Sequence, residues 1–443
     1  MSKLRKLVVT SLALYYQWQL RKDQWKDSRQ LKEIQFKKLK AILKHAYDYI
    51  PYYHKLLVSL KLKPEDIKTY DDLKRIPPVS KKVIQQNYNE FIAINVPKCN
   101  LRYHYTSGST GIPLEIAEDY SFTRCAYHQA LNQYPFFESG VKLGDKFLLI
   151  SARSQPVMWP NKHVTLLRNI PIISVPLFKD EEKLVQILNY IQPDVIWMLP
   201  QSMELLVMKS GLKIAPRVFI SQGGTVQQNL RDVLERKFGT EVFETYGSVE
   251  FGHMAFECKQ HMGLHQITGG SYLEFIDKYG EHVALGEEGE IVVTGLCNYV
   301  MPLIRYRIGD LGIPSDEECT CGRSLPLIES IQGRSDDLIT LPSGRKVSVA
   351  HIYPCVSDEL KHNVFCISQY QIIQERVNEL MLKVTKGSEF DETVLNKIKS
   401  NIETYFKLAN EEVYVSVEIV DRIPIDRTGK RRYIISKLNY NRL

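Results

Sequence analysis

Residues 181–247 read EEKLVQILNYIQPDVIWMLPQSMELLVMKSGLKIAPRVFISQGGTVQQNLRDVLERKFGTEVFETYG. Residues 181–192 have the pattern of a helix that stops before Pro193, and DVIWMLP follows as a strand. Ser202 to Lys209 is helical, RVFIS is a strand, Val226 to Phe238 is a helix, and EVFETYG is a strand with its loop. Strands that alternate with helices of about ten residues predict an α/β layer architecture around a largely parallel sheet. Upstream, KFLLIS (Lys146 to Ser151) suits a further buried strand, and residues 121–139 and 80–95 suit helices. Residues 24–60 read as helix, with Leu31, Ile34, Leu39, Ile42, Leu43 and Ala46 near helical spacing and Ile50-Pro51 as a stop.

Downstream of about residue 272 the pattern changes. YLEFID, GEIVVTG and LIRYRIGD are strands separated by glycine-rich turns, which reads as a β-rich subdomain over about 272–333. GRSDDLITLPSGRKV (Gly333 to Val347) is hinge-like, and about a hundred residues beyond it form a small α+β unit. The expected organisation is therefore a large domain over 1–334, opening with a helical region over about 1–60, and a small mobile domain over 335–443.

The composition excludes several classes. The 443 residues are 44% hydrophobic and 25% charged, which rules out a disordered chain, a fibre and a polytopic membrane protein. A net charge of +7 with interspersed signs suits an anionic ligand such as a nucleotide and does not single out nucleic acid. Eight dispersed cysteines exclude a disulfide scaffold, so a reducing cytoplasm is the default location. LVVTSLALYYQWQL (Leu7 to Leu20) is too short to span a membrane and lacks the cleavage site of a signal peptide. A helix packed on the body is expected there. Basic flanks and internal aromatics also permit an interfacial helix with peripheral membrane contact.

Four constellations, the second of them spanning two strand ends, carry candidate chemistry. Thr106-Ser107-Gly108-Ser109-Thr110-Gly111 can curl its N–H groups around an anion, although a plain Ser/Gly/Thr turn accounts for it equally. Thr245-Tyr246-Gly247-Ser248-Val249-Glu250 ends a strand, where an aromatic can stack on a base and a carboxylate can hold magnesium. Ser221-Gln222-Gly223-Gly224 closes the preceding strand, and open α/β sheets bind ligands at such strand ends. Asp310, after Arg305-Tyr306-Arg307-Ile308-Gly309, can accept both hydroxyls of a ribose. Lys430, in Arg427-Thr428-Gly429-Lys430, taken alone is a solvated surface lysine.

TSGSTG, YGSVE, RYRIGD, GRSDD and RTGK in this order resemble the adenylate-forming superfamily of acyl- and aryl-CoA ligases. CNYVMPLIRYRIGD and HAYDYIPYYHKL resemble its compact phenylacetate–CoA ligase branch, and within it the CapK-type members associated with capsular polysaccharide. The resemblance implies that Ser107, Ser109 and Thr110 grip the ATP β- and γ-phosphates, that Gly223 and Gly224 border the adenine, and that Tyr246 stacks on it. It further implies magnesium on Glu250, ribose on Asp310 with Arg334 nearby, a domain pivot at Asp336, and Lys430 on the carboxylate and α-phosphate. Leu114 departs from the lysine that many superfamily members carry after the proline of the phosphate loop.

The implied activity is ATP-dependent formation of an acyl-adenylate, then transfer to coenzyme A or to an amine. The alternative is a catalytically silent nucleotide-binding or scaffold protein. Trp197, Tyr246 and the residues around Gly270 are the expected lining of the acid pocket. A fifth constellation is metal-like. Cys258 and His265 in ECKQHMGLH, with Cys319 and Cys321 in CTCG, suit structural zinc, a reading the branch's zinc-bound members strengthen; His261 is a rival ligand.

Overall fold

The computed structural model of the protein describes residues 3–97, 101–106, 113–119, 121–151, 172–174, 181–207, 209–334, 338–360, 363, 366–387, 389–424 and 432–438. Three helices open the chain: α1 (Lys3–Asp23), α2 (Ser28–Tyr49) and α3 (Pro51–Ser59). The helix expected over 24–60 is thus two helices that meet at Ile50. Pro51 holds that residue extended at φ −108°, and the new helix starts with the proline in its first turn. The Asp27 carboxylate accepts from the Gln30 N–H and so caps α2. Leu31, Leu39, Ile42, Leu43 and Ala46 form its buried stripe. After the short α4 (Lys81–Gln86) come a hairpin, β1 (Leu101–Tyr105) with β2 (Glu115–Asp119), and then α5 (Phe122–Glu138).

Among the described residues the centre is one eleven-stranded sheet. Its parallel half contains β3 (Phe147–Ser151), β4 (Ile172–Ser174), β5 (Val195–Met198), β6 (Val218–Gln222) and β7 (Glu241–Ser248), in spatial order β4-β3-β5-β6-β7. The connecting helices are α6 (Glu181–Ile191), α7 (Pro200–Val207) and α8 (Gln228–Phe238). Leu148, Ile196 and Phe219 pack against these helices. Phe147, Val195, Trp197 and Phe243 pack on the opposite side with Phe136 of α5. A strand buried on both faces explains the unbroken apolar run DVIWMLP.

The remaining strands are β8 (Gly252–Glu257), β9 (Leu264–Gln266), β10 (Ser271–Ile276), β11 (Gly289–Gly295), β12 (Tyr306–Ser315) and β13 (Leu327–Arg334), and every pairing among them is antiparallel. They continue the same sheet outward from β7 in the order β8-β9-β13-β12-β11-β10. The β-rich run read from the sequence is therefore hydrogen-bonded into the parallel half rather than set apart from it.

A second, smaller α/β unit follows. β14 (Ile339–Thr340) and β15 (Lys346–Val347) form a short hairpin, and α9 (Val349–Leu360) comes next. β16 (Ile367–Arg376), β17 (Glu379–Lys386), α10 (Glu392–Leu408), β18 (Tyr414–Ile419) and β19 (Ile434–Ser436) complete it, with sheet order β18-β17-β16-β19. Ile352, Val356, Leu382, Ile398, Phe406 and Ile434 form its own apolar core. It meets the larger unit through Tyr353 Oη donating to Asn229 Oδ1 at 2.8 Å and Tyr433 Oη donating to Glu204 Oε1 at 3.1 Å. Asp336 lies outside the described residues.

One buried ion pair ties the N-terminal segment to the sheet. Arg305 is 1% exposed, and its Nε donates to Glu274 Oε2 at 3.1 Å. Its Nη1 donates to the Ile76 carbonyl at 2.7 Å, and His282 Nε2 lies 3.2 Å from the same carboxylate. Beside it, Val79 N–H donates to the Arg305 carbonyl and Arg307 N–H to the Val79 carbonyl, at 2.8 and 2.9 Å. Removing one partner strands a buried charge, which costs about 3–5 kcal/mol, whereas replacing both costs less. Arg305→Met is expected to lower the urea midpoint strongly, and Arg305→Met with Glu274→Met less; a double variant weaker than the single would overturn this account.

Candidate functional site

The site is assembled at the carboxyl ends of β6 and β7. After β6 the chain turns through Gly223, at φ +80°. Ser221 Oγ donates to the Gly224 carbonyl at 3.0 Å, and Thr245 Oγ1 donates to the Ser221 carbonyl at 2.9 Å. These bonds lock the two strand ends side by side. β7 then folds back into β8 through a turn that needs glycine: a Cβ on Gly247 would stand 2.5 Å from the Gly252 carbonyl oxygen. That turn carries Glu250.

The carboxylates and hydroxyls converge from distant strands. Tyr246 Oη on β7 donates to Asp310 Oδ2 on β12 at 2.9 Å. Burial, then the Asp310 charge, holds that phenol well above its usual pKa, so it stays a donor. Asp310 and Arg334 are register partners on β12 and β13, and Arg334 Nε lies 3.5 Å from Asp310 Oδ1. Tyr306 Oη donates to Glu250 Oε1 at 3.4 Å. The structure thus brings Tyr246, Asp310, Arg334, Tyr306 and Glu250 into one constellation, with Gly223, Gly224 and Thr245 at the adjoining strand ends. Ser107, Gly108, Ser109, Thr110, Gly111 and Lys430 lie outside the described residues. Thr106 marks the neck of the first loop: its N–H donates to the Leu114 carbonyl and its Oγ1 accepts from the Leu114 N–H, each at 2.9 Å. Leu114 is buried there, in the core.

Lys81 was not singled out by sequence reasoning. It opens α4, whose N-cap is Ser80, directly after the Val79 bridge to β12. Burial lowers its pKa, while the Glu250 charge raises it and the Arg334 charge lowers it, so its ammonium is within electrostatic reach of both. The Ser-Lys-Lys capping pattern before an apolar helix is the one local signal that could have marked it.

Beside Glu250 opens a cavity of about 970 Å³, counted with its mouth, between α5, the β1–β2 hairpin, the β7–β8 turn and the segment 295–303. Arg102, His104, Glu118, Arg124 and His128 give it polar walls, and Gly270 lies on its lining. His104 Nε2 is 3.2 Å and His128 Nε2 3.7 Å from the Glu118 carboxylate. Burial opposes the ionisation of Glu118, but the two histidines outweigh it and hold its pKa low. Trp197 is placed differently from expectation: it packs against Phe136, Phe147 and His253 in the core, because β5 lies in the middle of the sheet.

The four metal-type side chains also meet. The ligand atoms of Cys258, His265, Cys319 and Cys321 all lie within 4.8 Å of one another. Cys258 Sγ is 3.6 Å from Cys319 Sγ, and Cys321 Sγ is 3.4 Å from His265 Nε2. Tetrahedral zinc with bonds of about 2.3 Å to sulfur and 2.0–2.1 Å to nitrogen needs ligand separations of about 3.5–3.8 Å, and these two pairs lie close to that range. Burial pushes the Cys258 thiol up to about 12 and His265 down to about 4, so the imidazole is neutral as a ligand must be, and Cys258 would ionise only beside a bound cation. Gly263, at φ +116°, permits the turn into β9, since a Cβ would meet the Ile328 carbonyl oxygen at 2.5 Å. His261 is committed elsewhere: its Nδ1 lies 2.7 Å from Glu257 Oε1 and 3.2 Å from Arg231 Nη1.

Residues 341–437 match the family described as the CapK C-terminal domain. Over 434 residues the chain is 25% identical to the phenylacetate–coenzyme A ligase of Aromatoleum evansii, covering 92% of this chain and 94% of that protein. It is 22% identical over 419 residues to Protein CapK of Staphylococcus aureus, covering 88% and 87%. These likenesses support reading the chain as an adenylate-forming, phenylacetate–CoA ligase-like protein of CapK type. Among solved structures it resembles 2-hydroxyisobutyryl-CoA ligase in the postadenylation state, with a TM-score of 0.76 at 20% identity over 93% of this chain and 90% of that one. The same ligase in its thioesterification state is matched at 0.58, with 20% identity over 93% and 91%.

Proposed function

We propose that this protein activates a carboxylic acid with ATP and passes the acyl group to coenzyme A. The observation that carries the reading is the convergence of Glu250, Asp310, Arg334 and Tyr246 at the strand ends. A carboxylate oxygen attacks the ATP α-phosphorus, the bond to the pyrophosphate oxygen breaks, and an acyl-adenylate and pyrophosphate result. Both reactants are anions, so fixed positive charge must offset their repulsion. Lys81 and Arg334 supply it beside Glu250, whose carboxylate would hold magnesium; the metal, when bound, neutralises phosphate charge. Asp310, oriented by Tyr246 and Arg334, accepts the ribose hydroxyls, and Thr106 to Gly111 cradles the polyphosphate.

Lys430 is assigned to the reacting carboxylate and α-phosphate, and Asp336 to the pivot on which the small unit turns between half-reactions. The arrangement of this chain is more similar to the postadenylation state of 2-hydroxyisobutyryl-CoA ligase than to its thioesterification state. The contacts of Tyr353 with Asn229 and of Tyr433 with Glu204 would hold the first arrangement. An amine acceptor in surface-polysaccharide synthesis is the second reading, favoured by the match of residues 341–437 to the CapK domain. The test is carboxylate-dependent exchange of labelled pyrophosphate into ATP across a broad panel of acids. Lys430→Ala should lower exchange about 100-fold or more while ATP still binds; no exchange with any acid would favour a silent nucleotide-binding scaffold.

Cys258, His265, Cys319 and Cys321 are assigned to one structural zinc ion, because four protein ligands leave no position open for catalysis. Purified protein should carry about one zinc per chain. Cys319→Ser should lose it and melt earlier; a protein equally stable with and without metal would refute the assignment.

The first helix supports a peripheral contact as well. Its inner face packs on α5, where Gln17 Nε2 donates to the Ala130 carbonyl at 2.6 Å and Arg21 Nε to Glu138 Oε1 at 2.9 Å. Its outer face exposes Leu7, Leu14, Tyr15 and Trp18, followed by Trp25, with Lys22 lying over the Trp18 ring. No helix of the described residues is long and apolar enough to cross a membrane. An aromatic and aliphatic stripe among basic residues suits the surface of an anionic bilayer. Leu14→Glu with Trp18→Glu should abolish co-sedimentation with phosphatidylserine vesicles; wild-type protein left in the supernatant would exclude the contact.

A further inference from the structure

The cavity beside Glu250 is built for charge. Arg124, in the first turn of α5, lays its guanidinium over the Tyr299 ring, 3.8 Å from the centroid. Stacking fixes its plane and leaves its N–H edge free to donate. Among the described residues Arg124 makes no hydrogen bond and no ion pair. The nearby acids are already committed. Glu118 is engaged by His104 and His128, and the Asp119 carboxylate accepts from the N–H and Oγ of Ser121 at 2.8 and 2.9 Å. Arg102 adds a second cation on the hairpin wall. Phe251, Met301 and Leu303 add apolar lining. A half-buried cation without a counterion pays a desolvation cost that a ligand anion would remove.

We propose that the acid activated here carries a second anionic group held by Arg124, so that the substrate class is a short dicarboxylate rather than an aryl or alkyl monoacid. This rests on the adenylation reading above. One carboxylate would face the α-phosphate near Glu250, while the other pairs with the guanidinium edge-on. Such a bidentate, charge-assisted pair discriminates by geometry as well as by charge. A monoacid would leave the cation unpaired and lose binding for that reason.

The test is pyrophosphate exchange by the full chain with succinate, malate and glutarate against phenylacetate, benzoate and butyrate, and with the monomethyl ester of the best diacid. Dicarboxylates should give at least tenfold higher kcat/KM. Arg124→Gln should lower kcat/KM for the best diacid by about 10- to 100-fold, mainly through KM, with little effect on its monomethyl ester. Arg124→Lys should restore part of the loss, and it serves as the folded control should the glutamine variant be unstable. Exchange with monoacids alone would overturn this inference and leave the adenylation reading standing. Equal losses for diacid and ester would place Arg124 on the reacting carboxylate, and a rise in KM for ATP alone would place it on the nucleotide; either result overturns the proposal. Exchange with no acid of either kind would sink both.

Discussion

β7 pairs in parallel with β6 on one edge and antiparallel with β8 on the other, and the candidate site exists because of that double pairing. A parallel strand ends where its neighbours end, so β6 and β7 bring two loops to one edge of the sheet. An antiparallel strand returns at once, so the β7–β8 turn swings Glu250 back over the same edge. The return then carries the sheet outward to β12 and β13, which bring Asp310 and Arg334 within reach of Tyr246. The turn tolerates almost no side chain, since the Gly247 Cβ position falls on the Gly252 carbonyl.

Around this edge the chain arranges charge in two ways. Where a charge is structural it is paired: Arg305 is sealed between Glu274 and the backbone of the N-terminal segment. Where a charge faces a space it is left partly open, as with Lys81 near Glu250 and Arg124 over Tyr299. The contrast follows from desolvation. A buried ion without a partner is costly, so a fold keeps one only where an incoming ligand completes it. Arg305 and Arg307 flank Tyr306 in one short motif, yet they do different work. The first is a staple within the core, and the second lies at a partly exposed pair with Glu290, 3.3 Å away.

The sulfur and imidazole cluster lies on strands and turns of the antiparallel half, away from the cavity that opens beside Glu250. Cys258 ends the β8 return, His265 sits in β9, and Cys319 and Cys321 come from the connection between β12 and β13. β9 is only three residues long and pairs with β13 at two register positions and with β8 at three. The zinc ion proposed on these residues would tie the Cys258 turn to the CTCG turn beside this short strand. The first helix shows a comparable division of labour, with one face committed to α5 and the other presenting apolar side chains outward.

Much of this was written locally. The apolar run of β5, the period of α8 and the glycine-bounded strand GEIVVTG are properties of neighbouring residues, and such short-range preferences decide element type. The loops at successive strand ends were legible for the same reason, as was the pairing of a C-x6-H segment with CTCG. What remained hidden depended on distance along the chain. Tyr246 and Asp310 are 64 residues apart and lie on strands separated by three others, so their hydrogen bond depends on how the sheet folds back on itself. Arg124 and Lys81 are ordinary residues at helix starts, with nothing in their neighbours to mark them. Trp197 seemed a pocket residue until the sheet enclosed it. Local sequence thus determined the elements and the loops that could carry chemistry. Only tertiary packing decided which loops share an edge and which charges stay open, because backbone preference acts over a few residues whereas burial and pairing act between segments that the chain must first bring together.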